Sequence, residues 1–198
     1  YTPSPEDKLR RKAKPEPWNA PGIPVANGDF EKGSLITPDN LYIRRFQNKN
    51  IPFFREADFL FPGDWSLIGA PGFEEDCNGE VELSRNSIAG KYSLRISADT
   101  RISICHEEIH RAPSARLEFF VRGTPGSIFA VAVDAYNQDG GFLGFKIVRK
   151  FRIFSGDVYQ CNIPITPEDA SYLDQFRLYF VLEHGEIYLD HVSLRSGE

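Results

Sequence analysis

At 198 residues, with 41% apolar residues and 16 Phe, the chain is long enough to bury one sizeable core. Its net charge of −5 argues against general nucleic-acid binding, which needs cations clustered against phosphates. No apolar run approaches the ~20 residues of a membrane-spanning helix, and 14 Pro and 16 Gly between short apolar runs point to an all-β chain rich in turns.

Residues 1–22 read as an extended arm or linker, punctuated by Pro3, Pro5, Pro15, Pro17 and Pro21, with Trp18 as its one obvious anchor. A basic cluster, Lys8, Arg10, Arg11, Lys12 and Lys14, suits a solvated linker or a tether to an acidic partner. From residue 23 to 198 a single domain is expected. Strand patterns fall at 41–46, 57–61, 80–84, 92–98, 101–109, 115–122, 128–136, 145–154, 158–163, 176–183 and 186–194. Pro62-Gly63-Asp64, Asn78-Gly79, Thr124-Pro125-Gly126, Asp139-Gly140-Gly141 and Ser155-Gly156-Asp157 supply the turns. One short helix is predicted over 167–173, behind Thr166-Pro167. Strands at hairpin spacing with no helices between them argue for an antiparallel two-sheet jelly-roll sandwich. The alternating sets Leu117/Phe119/Val121, Phe129/Val131/Val133 and Phe176/Leu178/Phe180/Leu182 are its predicted core. The aromatic stretch 35–62 is read as a decoration at one end.

The last strand carries a second signal. Apolar residues at 187 and 189 alternate, then resume at 192 and 194, so the phase slips at Asp190-His191. Such a slip marks a bulge or strand end that re-aims a carboxylate.

Three segments in this order, Asn27-Gly28-Asp29-Phe30-Glu31, Ala89-Gly90-Lys91-Tyr92-Ser93-Leu94 and Ile187-Tyr188-Leu189-Asp190-His191-Val192-Ser193-Leu194, resemble the galactose-binding-like β-sandwiches that include many carbohydrate-binding modules. The resemblance spans about 23–195, with His191 standing where that family usually has a second Asp. It implies a structural Ca²⁺ held by Glu31, the carbonyl of Lys91 and Asp190, with Asp29 or Asn27 nearby. It also implies a structural role for Trp65. The function it implies is non-catalytic, most plausibly carbohydrate binding. The alternative is an accessory or scaffold subunit that grips a neighbouring protein through the same fold.

Sugar recognition needs aromatic faces beside carboxylates and amides. Tyr136, Asn137, Gln138 and Asp139 with Phe142 form one candidate rim, and Tyr179 could present its ring on the sheet face opposite the core. Tyr42, Arg44 and Arg45 with Phe53 and Phe54 form another. Catalysis finds little support. His106-Glu107-Glu108-Ile109-His110 matches a zinc-protease motif, but its flanks have strand period. On a strand, positions four apart are about 13 Å apart, too far for two nitrogens on one zinc. Cys77, Cys105 and Cys161 lack zinc-site spacing, which leaves one disulfide plus a spare thiol, or three buried thiols. The chain begins at Tyr1 without Met, which reads as a processed or trimmed end and, with the resemblance, gives an extracytoplasmic expectation.

Overall fold

The structure, a computed structural model, describes residues 10–12, 25–37, 57–66, 79–99, 101–110, 115–136, 141–165 and 175–196. All the regular structure among them is β. The strands are β1 (Arg10–Lys12), β2 (Gly33–Ile36), β3 (Phe59–Pro62), β4 (Trp65–Ser66), β5 (Gly79–Ser84), β6 (Ser93–Ala98), β7 (Ile102–His110), β8 (Ala115–Gly123), β9 (Ile128–Tyr136), β10 (Phe142–Arg152), β11 (Tyr159–Ile165) and β12 (Gln175–Ser196). The predicted strand 41–46, the helix 167–173, Trp18, Cys77 and the rim at 42–54 lie outside the described residues.

Every pairing is antiparallel. One sheet runs β1-β11-β8-β12-β6-β5 and the other β10-β9-β12-β7-β4, while β2 and β3 form a separate ribbon at the base of the 35–62 excursion. The two sheets share β12. Its first half pairs with β7 and β9, and its second half with β6 and β8. Of the expected arm, Arg10–Lys12 is described, and it adds a short strand to the edge of β11.

The sequence reading treats 176–183 and 186–194 as separate strands, whereas the chain runs through without leaving the ladder. Core residues are even-numbered up to Leu182 and odd-numbered at Ile187 and Leu189, so the phase must flip between the sheets. A register shift between Leu182 and His184, followed by Gly185 at φ 96°, makes that flip. Ser127 holds the corner: its Oγ accepts from Glu186 N at 3.0 Å and donates to Glu186 O at 3.1 Å.

The core lies between the sheets. Leu117, Phe119, Val121, Phe129, Val131, Val133, Leu178, Phe180 and Leu182 are all closed to solvent. Phe119 sits edge-on to Phe180, with ring centroids 5.1 Å apart, and Phe129 stacks on Phe151 at 5.0 Å. Geometries of this kind add about 0.5–1.5 kcal/mol per pair beyond area burial. Cys161 faces this core while Cys105 lies on the far side of its sheet, and both are buried.

Candidate functional site

The Asn27–Glu31 segment closes the sandwich against the last strand, and each of four side-chain positions has a distinct task. The Asn27 amide donates to Lys32 O at 2.7 Å and Gly63 O at 2.8 Å, while its Oδ1 accepts from Lys32 N at 2.9 Å. It thereby ties this segment to the turn before β4. Gly28 approaches the last strand so closely that a Cβ there would stand 2.0 Å from Val192 O. Phe30 is fully buried against Trp65, ring centroids 5.2 Å apart. Glu31 Oε1 accepts from Lys91 N at 2.8 Å and Tyr92 N at 3.1 Å. Three non-glycine residues here, Asn27, Phe30 and His191, have φ of 51°, 54° and 49°. Left-handed backbone in a bulky residue costs energy and persists where surroundings over-determine it.

Asp190 lies at the predicted bulge, where the pairing to β8 shifts between Asp190 and Ser193. Its carboxylate is closed to solvent, with Oδ2 accepting from Ser93 Oγ at 2.6 Å and Ala89 N at 3.0 Å, and Oδ1 accepting from His191 N at 2.8 Å. Burial pushes its pKa up to about 7, against the pull of these hydrogen bonds, and the nearby Glu31 charge pushes the same way. Burial lowers the pKa of His191, with Asp29 and Glu31 opposing. Both groups are thus driven toward neutrality, so the 3.8 Å approach of His191 Nε2 to Asp190 Oδ1 is a weak contact.

The structure therefore gathers Asp29, Glu31, Lys91 and Asp190, the residues nominated for calcium, at one corner. The contact between Lys91 and Glu31 runs through the Lys91 amide N–H. Among the described residues no three Asp, Glu, His or Cys side chains converge on one ion-sized point.

The sugar nominees lie on the other sheet. Tyr136 and Phe142 are cross-strand partners at one end of the β9–β10 pair, while Asn137 and Asp139 lie outside the described residues. Tyr179 must be corrected. It does face away from the core, but it is fully buried among Cys105, Ala130, Ala132 and Val181. Small neighbours on β7 and β9 leave room that its ring fills, so it offers no face to a sugar. Tyr188, on the outer side of the first sheet, is covered by the Arg122 guanidinium at 4.8 Å. The row beside it is taken up by Arg95, bonded to Glu80, Glu82 and Glu186.

His106 and His110 lie on strand β7, as their flanks predict. His106 is buried, edge-on to Trp65 at 5.1 Å, with its Nε2 3.1 Å from Ala26 O. Trp65 is itself 1% exposed and donates from Nε1 to Asn27 O at 3.2 Å, a packing hub rather than a binding face.

No protein-family model matches the sequence, and no curated protein matches it. Solved structures do match the fold. The CBM22-2 xylan-binding domain of Paenibacillus barcinonensis Xyn10C aligns with a TM-score of 0.51 at 13% identity, over 68% of this chain and 92% of that one. The CBM22-1–GH10 modules of Clostridium thermocellum endo-1,4-beta-D-xylanase 10B, solved with xylohexaose, align at 0.52 and 10% identity, over 68% of this chain and 26% of that one. The enzymatically active domain of tailspike protein 4 from bacteriophage CBA120 aligns at 0.50 and 13% identity, over 67% of this chain and 19% of that one. The latter two chains are far longer than the shared fold. No helix among the described residues is long and apolar enough to cross a membrane. The chain shares the antiparallel β-sandwich fold of these solved structures.

Proposed function

We propose that this chain is a non-catalytic carbohydrate-binding module working in an extracytoplasmic setting. The observation that carries the reading is the match of its fold to a xylan-binding domain over 92% of that domain's length. The strand setting of the H-E-x-x-H match supports the non-catalytic part. The test is affinity electrophoresis and pull-down of the purified chain on xylan, cellulose, β-glucan and polygalacturonate. Saturable retention on at least one glycan supports the proposal, and a folded, monodisperse sample that none retains overturns it.

We infer further that the Asn27–Glu31 corner holds a structural Ca²⁺ through Glu31, Asp190 and Asp29. Glu31 and Asp190, far apart in sequence, lie near enough that the Glu31 charge is felt by Asp190, and Asp29 is two residues from Glu31. Calcium takes about six to eight oxygens, so main-chain carbonyls, that of Lys91 among them, and water would supply the remainder. Such an ion would tie the first segment to the last strand and would do no chemistry.

A further inference from the structure

We propose that Phe154, with the cross-strand row Arg152, Ile128 and His184, forms a surface that binds an acidic sugar. This rests on the carbohydrate-binding reading and names a ligand class. It also names a location, the opposite end of the β9–β10 pair from Tyr136 and Phe142.

Phe154 is 62% exposed, more than any other large apolar side chain among the described residues. A single exposed apolar residue would ordinarily need no explanation, but this one is mounted. Immediately before it, Ile153 is pinned on both sides: its O accepts from Gly126 N at 2.8 Å and its N donates to Ser127 O at 2.9 Å. Immediately after it, the Ser155 hydroxyl bonds to Tyr159 OH and donates to Asp157 Oδ2 at 3.0 Å. A ring held out by a fixed backbone loses little conformational freedom when a ligand stacks on it.

Arg152 shares that outward face. Phe151 and Ile153 are buried while Arg152 and Phe154 are exposed, an alternation that puts the last two on one side, about 7 Å apart. Across the sheet Arg152 pairs with Ile128, and Ile128 with His184, which is also exposed. The row thus sets a guanidinium, an aliphatic side chain and an imidazole beside the projecting ring. An aromatic face suits the apolar face of a pyranose, and a guanidinium suits a carboxylate.

The strand that carries Arg152 is rich in cations. From Lys146 to Arg152 there are four cations, Lys146, Arg149, Lys150 and Arg152, and no acid, in a chain of net charge −5. Lys150 bonds Glu183 across the sheet, within this basic stretch. Cations also protect an edge strand from pairing with another chain, and β10 pairs only with β9 among the described strands. That protection needs no aromatic beside it, and an exposed Phe works against it.

The test uses affinity electrophoresis in polygalacturonate and in neutral xylan with the wild type, Phe154→Ala, Phe154→Trp and Arg152→Gln. The wild type should be retained by polygalacturonate, less so as salt rises. Phe154→Ala and Arg152→Gln should each weaken retention about tenfold without lowering Tm, and Phe154→Trp should restore it. Wild-type retention that neither Phe154→Ala nor Arg152→Gln alters overturns the inference and leaves carbohydrate binding standing. So does retention on xylan alone, or a Phe154→Ala loss that Phe154→Trp does not restore. A wild type retained by no glycan overturns the carbohydrate reading itself.

Discussion

The Glu31 carboxylate accepts the amide N–H of Lys91 at 2.8 Å across 60 residues of chain. The same oxygen accepts the next amide, that of Tyr92, so one side chain fixes two consecutive donors. Hydrogen bonds to a charged acceptor contribute about 1.5–3 kcal/mol when sheltered, and solvent exposure at Glu31 puts this pair toward the lower end. Glu31→Ala should cost about 1–2 kcal/mol in urea denaturation, and Glu31→Gln, which keeps an acceptor oxygen, should cost less. Equal stability of all three would remove Glu31 from the closure of the fold.

Gly90 makes that contact possible. Its φ is 62°, and a Cβ there would stand 2.2 Å from Glu31 Oε1. Gly90→Ala should therefore destabilise through both backbone strain and displacement of Glu31. In a Glu31→Ala background only the strain remains, so the double variant should be less destabilised than the sum of the singles. Strict additivity in a double-mutant cycle would show that the two residues do not compete for one space.

These two residues also show what a sequence can disclose. Strand period exposed the core at Phe119, Val131 and Phe180, because alternate burial leaves a direct imprint on residue type. The phase slip at Asp190 disclosed a bulge for the same reason. The crossing at Gly185 was hidden, since a phase flip between two strands looks like an ordinary turn. Tyr179 faces away from the core, as its alternation predicts, yet is buried: alternation tells which side a residue faces, not whether that side is covered. Phe154 is hidden in the sequence because a Phe at the end of a strand pattern reads as core. The one available signal was that both its neighbours in the alternation, Arg152 and Gly156, could not be core.

Gly185 is the strictest backbone requirement in the last strand. At φ 96°, a Cβ would meet Ser127 Oγ at 2.2 Å, Ser127 Cβ at 2.8 Å and Ser127 Cα at 2.9 Å. Trimming Ser127 leaves its Cα in place, so the clash cannot be relieved from that side. Gly185→Ala should lower stability by about 3 kcal/mol or more, and adding Ser127→Gly should recover only a fraction. A thermal melt of Gly185→Ala within a degree of wild type would contradict the crossover geometry.

The calcium proposal has its own readout. An ion bound only to the folded chain raises Tm in proportion to the logarithm of its concentration over Kd. Chelator should lower Tm, added Ca²⁺ should restore it, and Asp190→Ala should abolish the response. A melt that chelator leaves unchanged removes calcium from this corner.

In chelator the Asp190 carboxyl should reveal itself through pH. Its folded pKa of about 7 lies above the ordinary 3.8, so the folded state keeps a proton that the unfolded state gives up. The stability this contributes is fully present below the lower value and is lost as pH rises through the window between them. About three units correspond to at most about 4 kcal/mol, a net value that already includes the hydrogen bonds from Ser93, Ala89 and His191. His191 acts in the opposite sense, because burial lowers its pKa and acidification then costs stability. The wild-type profile is therefore a difference of two slopes, and Asp190→Asn isolates one. Relative to that variant the wild type should gain stability as pH falls from about 7 to about 4, by denaturant midpoint at each pH. Bound Ca²⁺ would hold the carboxylate ionised and remove the gain, so the same titration with and without the ion separates a buried acid from a metal ligand. Parallel profiles of the two proteins in chelator would mean that the three donors keep Asp190 charged throughout.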